Sequence, residues 1–268
     1  MLNSKLFNND ESNKWLIRQF EEYRFSGSAV EDKFLPRPDV SLIFHFGDCA
    51  LISGETLIQL EPFFLGPIVP RALNLKFQGN MDTLAVTCKA TVFSRLFDLD
   101  LSPVFKRSIN LPEPIFSPLW QELANLHSST ARIRYFSTFI NTMLSVPYSP
   151  DAIDVFYDKI VEKSINVPLK EIMLECHASK STLLRKFVKR TGVSPKTLAR
   201  IVRLNYLLAR IKDERAIDYG ELVFYGNYFD QSHFINDFKY IIGETPNYFF
   251  NRNLHIVKIF SGKPVQDV

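Results

Sequence analysis

Cysteine is scarce in this chain. The 268 residues contain three, Cys49, Cys88 and Cys176, an odd number with no close spacing. That argues against a disulfide framework and against a Cys-x-x-Cys metal or redox site. No apolar run approaches bilayer length, and the opening MLNSKLFNNDESNKW lacks the apolar stretch of a signal peptide. A soluble protein of the reduced cytoplasm, with no membrane partner, is expected. Catalytic patterns are missing as well. His45 has no second His near it in sequence, and Cys88 lies in an apolar alternating run with no His close by. No Gly-rich phosphate loop, Ser elbow or paired carboxylates with a shared task are present. The expectation is no enzyme, no metal and no cofactor, with His45 a partly buried structural side chain and Cys88 a small core residue.

What is abundant is apolar and aromatic. At 46% hydrophobic and 13% aromatic residues, the chain has enough to bury one or two cores. The formal net charge of +3 is modest, but its distribution is uneven. No Asp or Glu occurs between Glu175 and Asp213, whereas Lys180, Arg185, Lys186, Lys189, Arg190, Lys196, Arg200, Arg203, Arg210 and Lys212 all do. The centre of this basic run, Ser179–Pro195, reads as one helix. Ser179 suits its start and Gly192 its left-handed stop, with Leu183, Phe187 and Val188 forming a buried stripe.

The segment occurs twice. Ser179, Ser181, Leu183, Phe187, Gly192 and Pro195 pair with Asp230, Ser232, Phe234, Phe238, Gly243 and Pro246 at a constant offset of 51. Upstream, Leu169, Glu171, Ile172 and Met173 pair with Tyr219, Glu221, Leu222 and Val223 at an offset of 50. Each copy reads as a short amphipathic helix, a tight turn and a second helix, the order of a helix-turn-helix. Leu198, Ile201, Leu204, Leu208 and Ile211 predict a long helix joining the two copies.

The second copy contains Asn227-Tyr228-Phe229-Asp230-Gln231-Ser232-His233-Phe234, then Phe238-Lys239, then Gly243 to Pro246. The first ends in Thr191-Gly192-Val193-Ser194-Pro195, followed by Arg203-Leu204. In these motifs the region from Ala152 to Arg252 resembles the DNA-binding domain of AraC/XylS-type transcription regulators. The resemblance implies that positions matching Ser181, Leu184 and Arg185 meet bases. The chemistry agrees: Lys180, Ser181, Leu184 and Arg185 share the outer face near the helix start. Arg185 can bond two acceptors of guanine, Ser181 either kind of base, and Leu184 a thymine methyl. Lys186, Lys189, Arg190 and Lys196 suit phosphate contacts. In the second copy Gln231, Ser232 and Asn236 have base-reading chemistry. Asp230 is explained as a helix cap, but Asp237 brings negative charge without evident reason, which predicts a weaker reader.

The first half is expected to be β-rich. Val40, Leu42 and Phe44 alternate with Ser41 and Ile43, predicting a strand that ends at a Gly47-Asp48 turn. Leu73, Leu75 and Phe77, then Gly79-Asn80, then Leu84, Val86 and Cys88 predict a hairpin. Helices are expected from Ala90, from a cap at Ser117-Pro118, and over Ile133 to Leu144. Phe34-Leu35-Pro36-Arg37-Pro38-Asp39 and Phe64-Leu65-Gly66-Pro67 resemble one AraC-type subgroup, in which this half is a cupin-like sensing or dimerising module. Its phenylalanines suit either an ordinary core or the wall of an apolar pocket, so no ligand residue is assigned.

The expected architecture is therefore α+β. A β-rich domain with appended helices (1–148) precedes an all-α domain of two helix-turn-helix units joined by a long helix (149–252), and a tail (253–268) follows. The expected function is sequence-specific regulation of transcription, reading two adjacent major grooves of double-stranded DNA. The first half would add a small-molecule effector or homodimerisation, and RNA polymerase would be a partner if the chain activates. The alternative is a small-molecule-binding protein or enzyme whose C-terminal units act as a docking module.

Overall fold

A computed structural model describes residues 2–8, 13–102, 107–143, 147–176, 179–211 and 218–250. Lys212, Leu144, Arg252 and the expected tail lie outside the described residues. The architecture is α+β, a sheet followed by helices. Seven strands come first: β1 (Leu2–Asn8), β2 (Ile17–Phe34), β3 (Val40–His45), β4 (Leu51–Ser53), β5 (Ile58–Gln59), β6 (Phe63–Gly66) and β7 (Leu73–Cys88). They form one sheet in the order β1-β2-β7-β3-β6, with β4 joining β7 to β5. The alternation in β3 puts Val40, Leu42 and Phe44 fully in the core.

The expected hairpin at Gly79-Asn80 is not made. β7 continues through it and pairs with β2 from Ile17 opposite Cys88 to Phe34 opposite Leu73. Gly79 adopts φ +73° and faces Gly27 across the pair, at an irregularity in β2. The positive φ that suits a hairpin turn here bends a continuous strand, because β2 offers an unbroken ladder alongside it. Asp48 Oδ2 accepts from the Asn80 amide at 2.7 Å and holds the bend.

After the sheet come α1 (Ala90–Leu96), α2 (Glu113–Asn125) and α3 (Ser129–Met143). The predicted start, with Ser117 as cap and Pro118 as first helical residue, is five residues late, for α2 begins at Glu113 after Pro112 and Pro118 lies inside it. Phe116 is fully buried and anchors the first turn, so burial outweighs the hydrogen bond that Pro118 cannot donate. The second half contains α4 (Ala152–Lys163), α5 (Leu169–Leu174), α6 (Lys180–Thr191), α7 (Pro195–Arg210), α8 (Tyr219–Tyr225), α9 (Gln231–Ile242) and α10 (Pro246–Phe250). Asp151 caps α4 in a reciprocal capping box with Asp154.

The cores do not respect the halves. The largest cluster runs from Phe20, Leu42 and Val86 of the sheet through Phe93 and Phe156 to Phe187 and Ile201. A second holds Leu204, Leu207, Phe234 and Phe238, together with Leu35 from the first half. The Phe34–Asp39 motif is thus a strap between halves. Asn205 Nδ2 donates to Pro36 O at 2.8 Å, and the Tyr157 hydroxyl donates to Pro38 O at 2.6 Å.

The two helix stops differ in their surroundings. Gly192 has φ +80°, and a Cβ there would lie 2.7 Å from Leu101 O. Gly243 has φ +87°, but its Cβ would meet only Lys33 Nζ at 3.8 Å. Gly243→Ala should cost the backbone penalty alone, about 1–2 kcal/mol. Gly192→Ala should cost clearly more, because Leu101 must also move. Urea unfolding of both variants checks this; equal losses would show that the Leu101 approach is soft.

Candidate nucleic-acid interface

The first unit is α5 with α6, and the second is α8 with α9. In α6, Leu183 and Phe187 are buried in the main core, and Val188 is half-buried beside them. Thr191 Oγ1 donates to Phe187 O at 2.8 Å and tightens the last turn. Ser179 stands at the N-cap as expected, but its side chain accepts no hydrogen bond there. Asp230 does cap α9, accepting from the His233 amide at 2.7 Å.

Burial of that stripe turns the opposite face outward. Lys180, Ser181 and Arg185 are exposed and Leu184 is half-buried. Ser181 and Arg185 are one turn apart, so both stand on the same side of the helix near its start. Lys186, Lys189 and Lys196 are exposed around this face. In the second unit Gln231, Ser232 and Asn236 are exposed at the corresponding end of α9.

Arg190 is placed differently from the other cations. Its side chain is 12% exposed, with Nη1 2.5 Å from Asp151 Oδ2 and Nη2 2.6 Å from Asp154 Oδ1. Nε donates to Thr91 O at 2.8 Å. Ser94 Oγ donates to Arg190 O at 3.0 Å, and the Leu101 amide donates to Lys189 O at 2.8 Å. The end of α6 is therefore clamped to α1 and to the start of α4. The phosphate role expected for Arg190 does not fit this arrangement, because its donors are already taken by carboxylates and a carbonyl. The sequence could not show it, since these partners lie 36 to 99 residues away.

Asp237 also has the reason that its sequence lacks. It is 8% exposed and faces α7, where Arg200 Nε donates to its Oδ1 at 2.5 Å. The Tyr228 hydroxyl donates to Oδ2 at 2.9 Å, and burial beside this carboxylate pushes the Tyr228 pKa up. Asp237 is an internal ion-pair partner and not a repulsive charge on a DNA face. Only its contact with Arg200, 37 residues away, reveals that.

The helix α7 sets the units against each other. Leu198, Ile201 and Val202 belong to the main core, whereas Leu204, Leu207 and Leu208 belong to the second. One rigid element thus carries a unit at each end. The strand ends of the sheet hold the second unit as well. Lys33 Nζ donates to Ile242 O at 2.9 Å, and the Ala72 amide donates to Ile241 O at 2.8 Å.

Residues 174–252 match the family of the helix-turn-helix domain. The C-terminal region contains a helix-turn-helix domain. No curated protein matches the chain in sequence. Among solved structures, ToxT from Vibrio cholerae is similar at 13% identity over 93% of this chain and 97% of that one, with a TM-score of 0.47. The AraC-like transcriptional activator CuxR is similar at 10% identity over 79% and 87%, with a TM-score of 0.28. The assignment rests on the helix-turn-helix match and not on these distant likenesses.

Among the described residues no group of three His, Cys, Asp or Glu is placed to hold a metal ion, and no helix is long and apolar enough to cross a membrane. His45 is buried, and its Nδ1 lies 2.7 Å from Thr83 Oγ1. Burial pulls its pKa down to about 4.

Two measurements follow from these placements. Arg190→Ala strips the fully buried Asp154 carboxylate of its main cation, and should cost on the order of 2–3 kcal/mol in urea unfolding. Lys189→Ala should leave stability within about 0.5 kcal/mol. Equal effects would mean that the clamp carries no load. For His45, the unfolded side chain binds a proton below about pH 6.5 while the folded one stays neutral down to about 4. Its contribution is complete above pH 6.5 and is lost as pH falls toward 4, about 3 kcal/mol in total. Melting temperature should therefore fall more steeply in that window for wild type than for His45→Asn; parallel curves would refute it.

Proposed function

We propose that this chain is a sequence-specific transcription regulator whose two helix-turn-helix units read adjacent major grooves under the control of the sheet domain. The carrying observation is the outward face of α6. A solvent-exposed Ser181 and Arg185 stand at the helix start with Lys186, Lys189 and Lys196 around them. A guanidinium there can bond guanine O6 and N7 together, and the lysines suit phosphates. Lys180 and Leu184 complete the base-facing end.

The second unit reads with Gln231, Ser232 and Asn236. With Asp237 internal, the charge that argued for a weaker second reader is removed from the surface. Because α7 is shared, the two recognition helices move as one body, which suits grooves about 34 Å apart. Burial of α6 and α7 in the same core as the sheet favours control by the first half. That control would act through an effector or through a second copy of the chain, with RNA polymerase as the further partner of an activator.

Selection of bound DNA from a random pool at physiological salt tests the reading. Wild type should enrich two blocks about one helical turn apart. Arg185→Ala should lose information at one position of one block, worth about 1–3 kcal/mol, while Lys186→Ala should weaken all sites alike and flatten the salt dependence by about one unit. Enrichment of a single block would remove the second unit as a reader. No enrichment by wild type would overturn specific binding.

A further inference from the structure

The three lysines exposed around α6 have no cationic counterparts in the second unit. At the offset of 51, Lys186, Lys189 and Lys196 correspond to Asp237, Tyr240 and Asn247. Asp237 is turned inward to Arg200. Lys239 is then the one Lys or Arg of α9. A duplex engaged by both units would meet much less positive charge from α9 than from α6 and its surroundings.

A cation from the sheet half stands at one of these places. Ser232, Asn236 and Tyr240 are spaced by four residues and form one stripe along α9, as Ser181, Arg185 and Lys189 do along α6. Tyr240, at the end of its stripe, is 44% exposed. The Arg71 guanidinium carbon lies 4.4 Å from the centre of the Tyr240 ring. The backbone fixes this approach, because the amide of the next residue, Ala72, donates to Ile241 O at 2.8 Å. Arg71 also hydrogen-bonds the Tyr240 hydroxyl and so lowers its pKa. Arg200 stacks on the same ring at 4.1 Å, but its charge is met by Asp237. Arg71 is exposed, and among the described residues no carboxylate pairs with it.

We propose that Arg71 contacts a phosphate of the DNA backbone beside α9, taking in the second unit the place that Lys189 has in the first. The inference rests on the regulator reading above and deepens it: the sheet half touches DNA itself, in addition to holding the helices that read it. A guanidinium has several N–H donors, so stacking on the ring and one bond to its hydroxyl leave an edge free for an anion. Phosphate suits that edge, since two of its oxygens can accept from one guanidinium. Such a contact adds affinity and salt dependence but no base preference. It also ties affinity to the seating of the sheet half on α9, because Arg71 lies in the turn into β7.

The test is the affinity of the full chain for a random-sequence duplex, measured against salt concentration. Arg71→Ala should lower the slope of log affinity on log salt by about 0.9, the share of one phosphate, and Arg71→Lys should keep it. Arg134→Ala, which removes an exposed cation from α3, should keep it as well. In selection from a random pool, Arg71→Ala should enrich the same bases as wild type. Melting curves without DNA check the fold of each variant; should Arg71→Ala not fold, Arg71→Gln carries the same expectation. A purely structural role on Tyr240 would weaken binding equally at every salt concentration and leave the slope unchanged. A steep wild-type slope that Arg71→Ala does not change would therefore overturn this inference and leave the regulator reading standing. An equal fall in Arg134→Ala would overturn it by reducing the effect to net charge, and an altered base preference in Arg71→Ala would overturn the phosphate assignment. Failure of wild type to bind any duplex would overturn both readings.

Discussion

The clamp on the end of α6 is the contact on which the rest of the arrangement depends. One guanidinium, that of Arg190, satisfies Asp151, Asp154 and the Thr91 carbonyl at once, and so ties three elements together. Gly192 then brings its backbone against Leu101 where no side chain would fit. An ion pair this enclosed adds little net stability but is costly to break, because the buried Asp154 carboxylate would be left with only the more distant Arg95, at 3.6 Å, as counter-charge. Its effect is on geometry. It fixes the direction in which α6 leaves the core, and hence the face that Ser181 and Arg185 present.

From that fixed helix the second unit is positioned by continuity. α7 inserts its first half into the main core and its second half into the core of the second unit. Arg200 extends from α7 to Asp237 on α9, and Lys33 and Ala72 reach the far end of α9 from the sheet. Two recognition helices of one chain are thus held by the same framework that holds the sheet. The regulation proposed above needs this coupling: one site can shift another at a distance only if it interacts differently with two arrangements of what joins them. The strap from Phe34 to Asp39 joins the two halves most directly, with the sheet on one side and α4, α7 and α9 on the other.

Several features were legible in order of residues alone. The 51-residue repeat named both units, their stops at Gly192 and Gly243, and the exposed ends of both recognition helices. The linking stripe from Leu198 to Leu208 predicted α7, and the alternation of Val40, Leu42 and Phe44 predicted β3. Errors arose where a local signal met a non-local partner. Gly79-Asn80 has the composition of a hairpin turn, yet β2 pairs straight through it. Ser117-Pro118 has the composition of a helix start, yet burial of Phe116 carries the helix back to Glu113.

The sequence by itself determined the local grammar of this protein: helical period, strand alternation, left-handed stops, and which end of α6 and of α9 carries exposed polar side chains. These depend on residues within a turn or two of each other, so spacing suffices to specify them. Only the tertiary structure decided the fate of individual charges. Arg190 and Arg185 belong to the same basic run, but one is consumed by Asp151 and Asp154 while the other faces solvent. Asp237 passed from a misplaced charge to the internal partner of Arg200, and His45 from a lone histidine to the buried neighbour of Thr83. Each outcome depends on groups tens of residues away, whose proximity is a product of packing and leaves no periodicity in the chain.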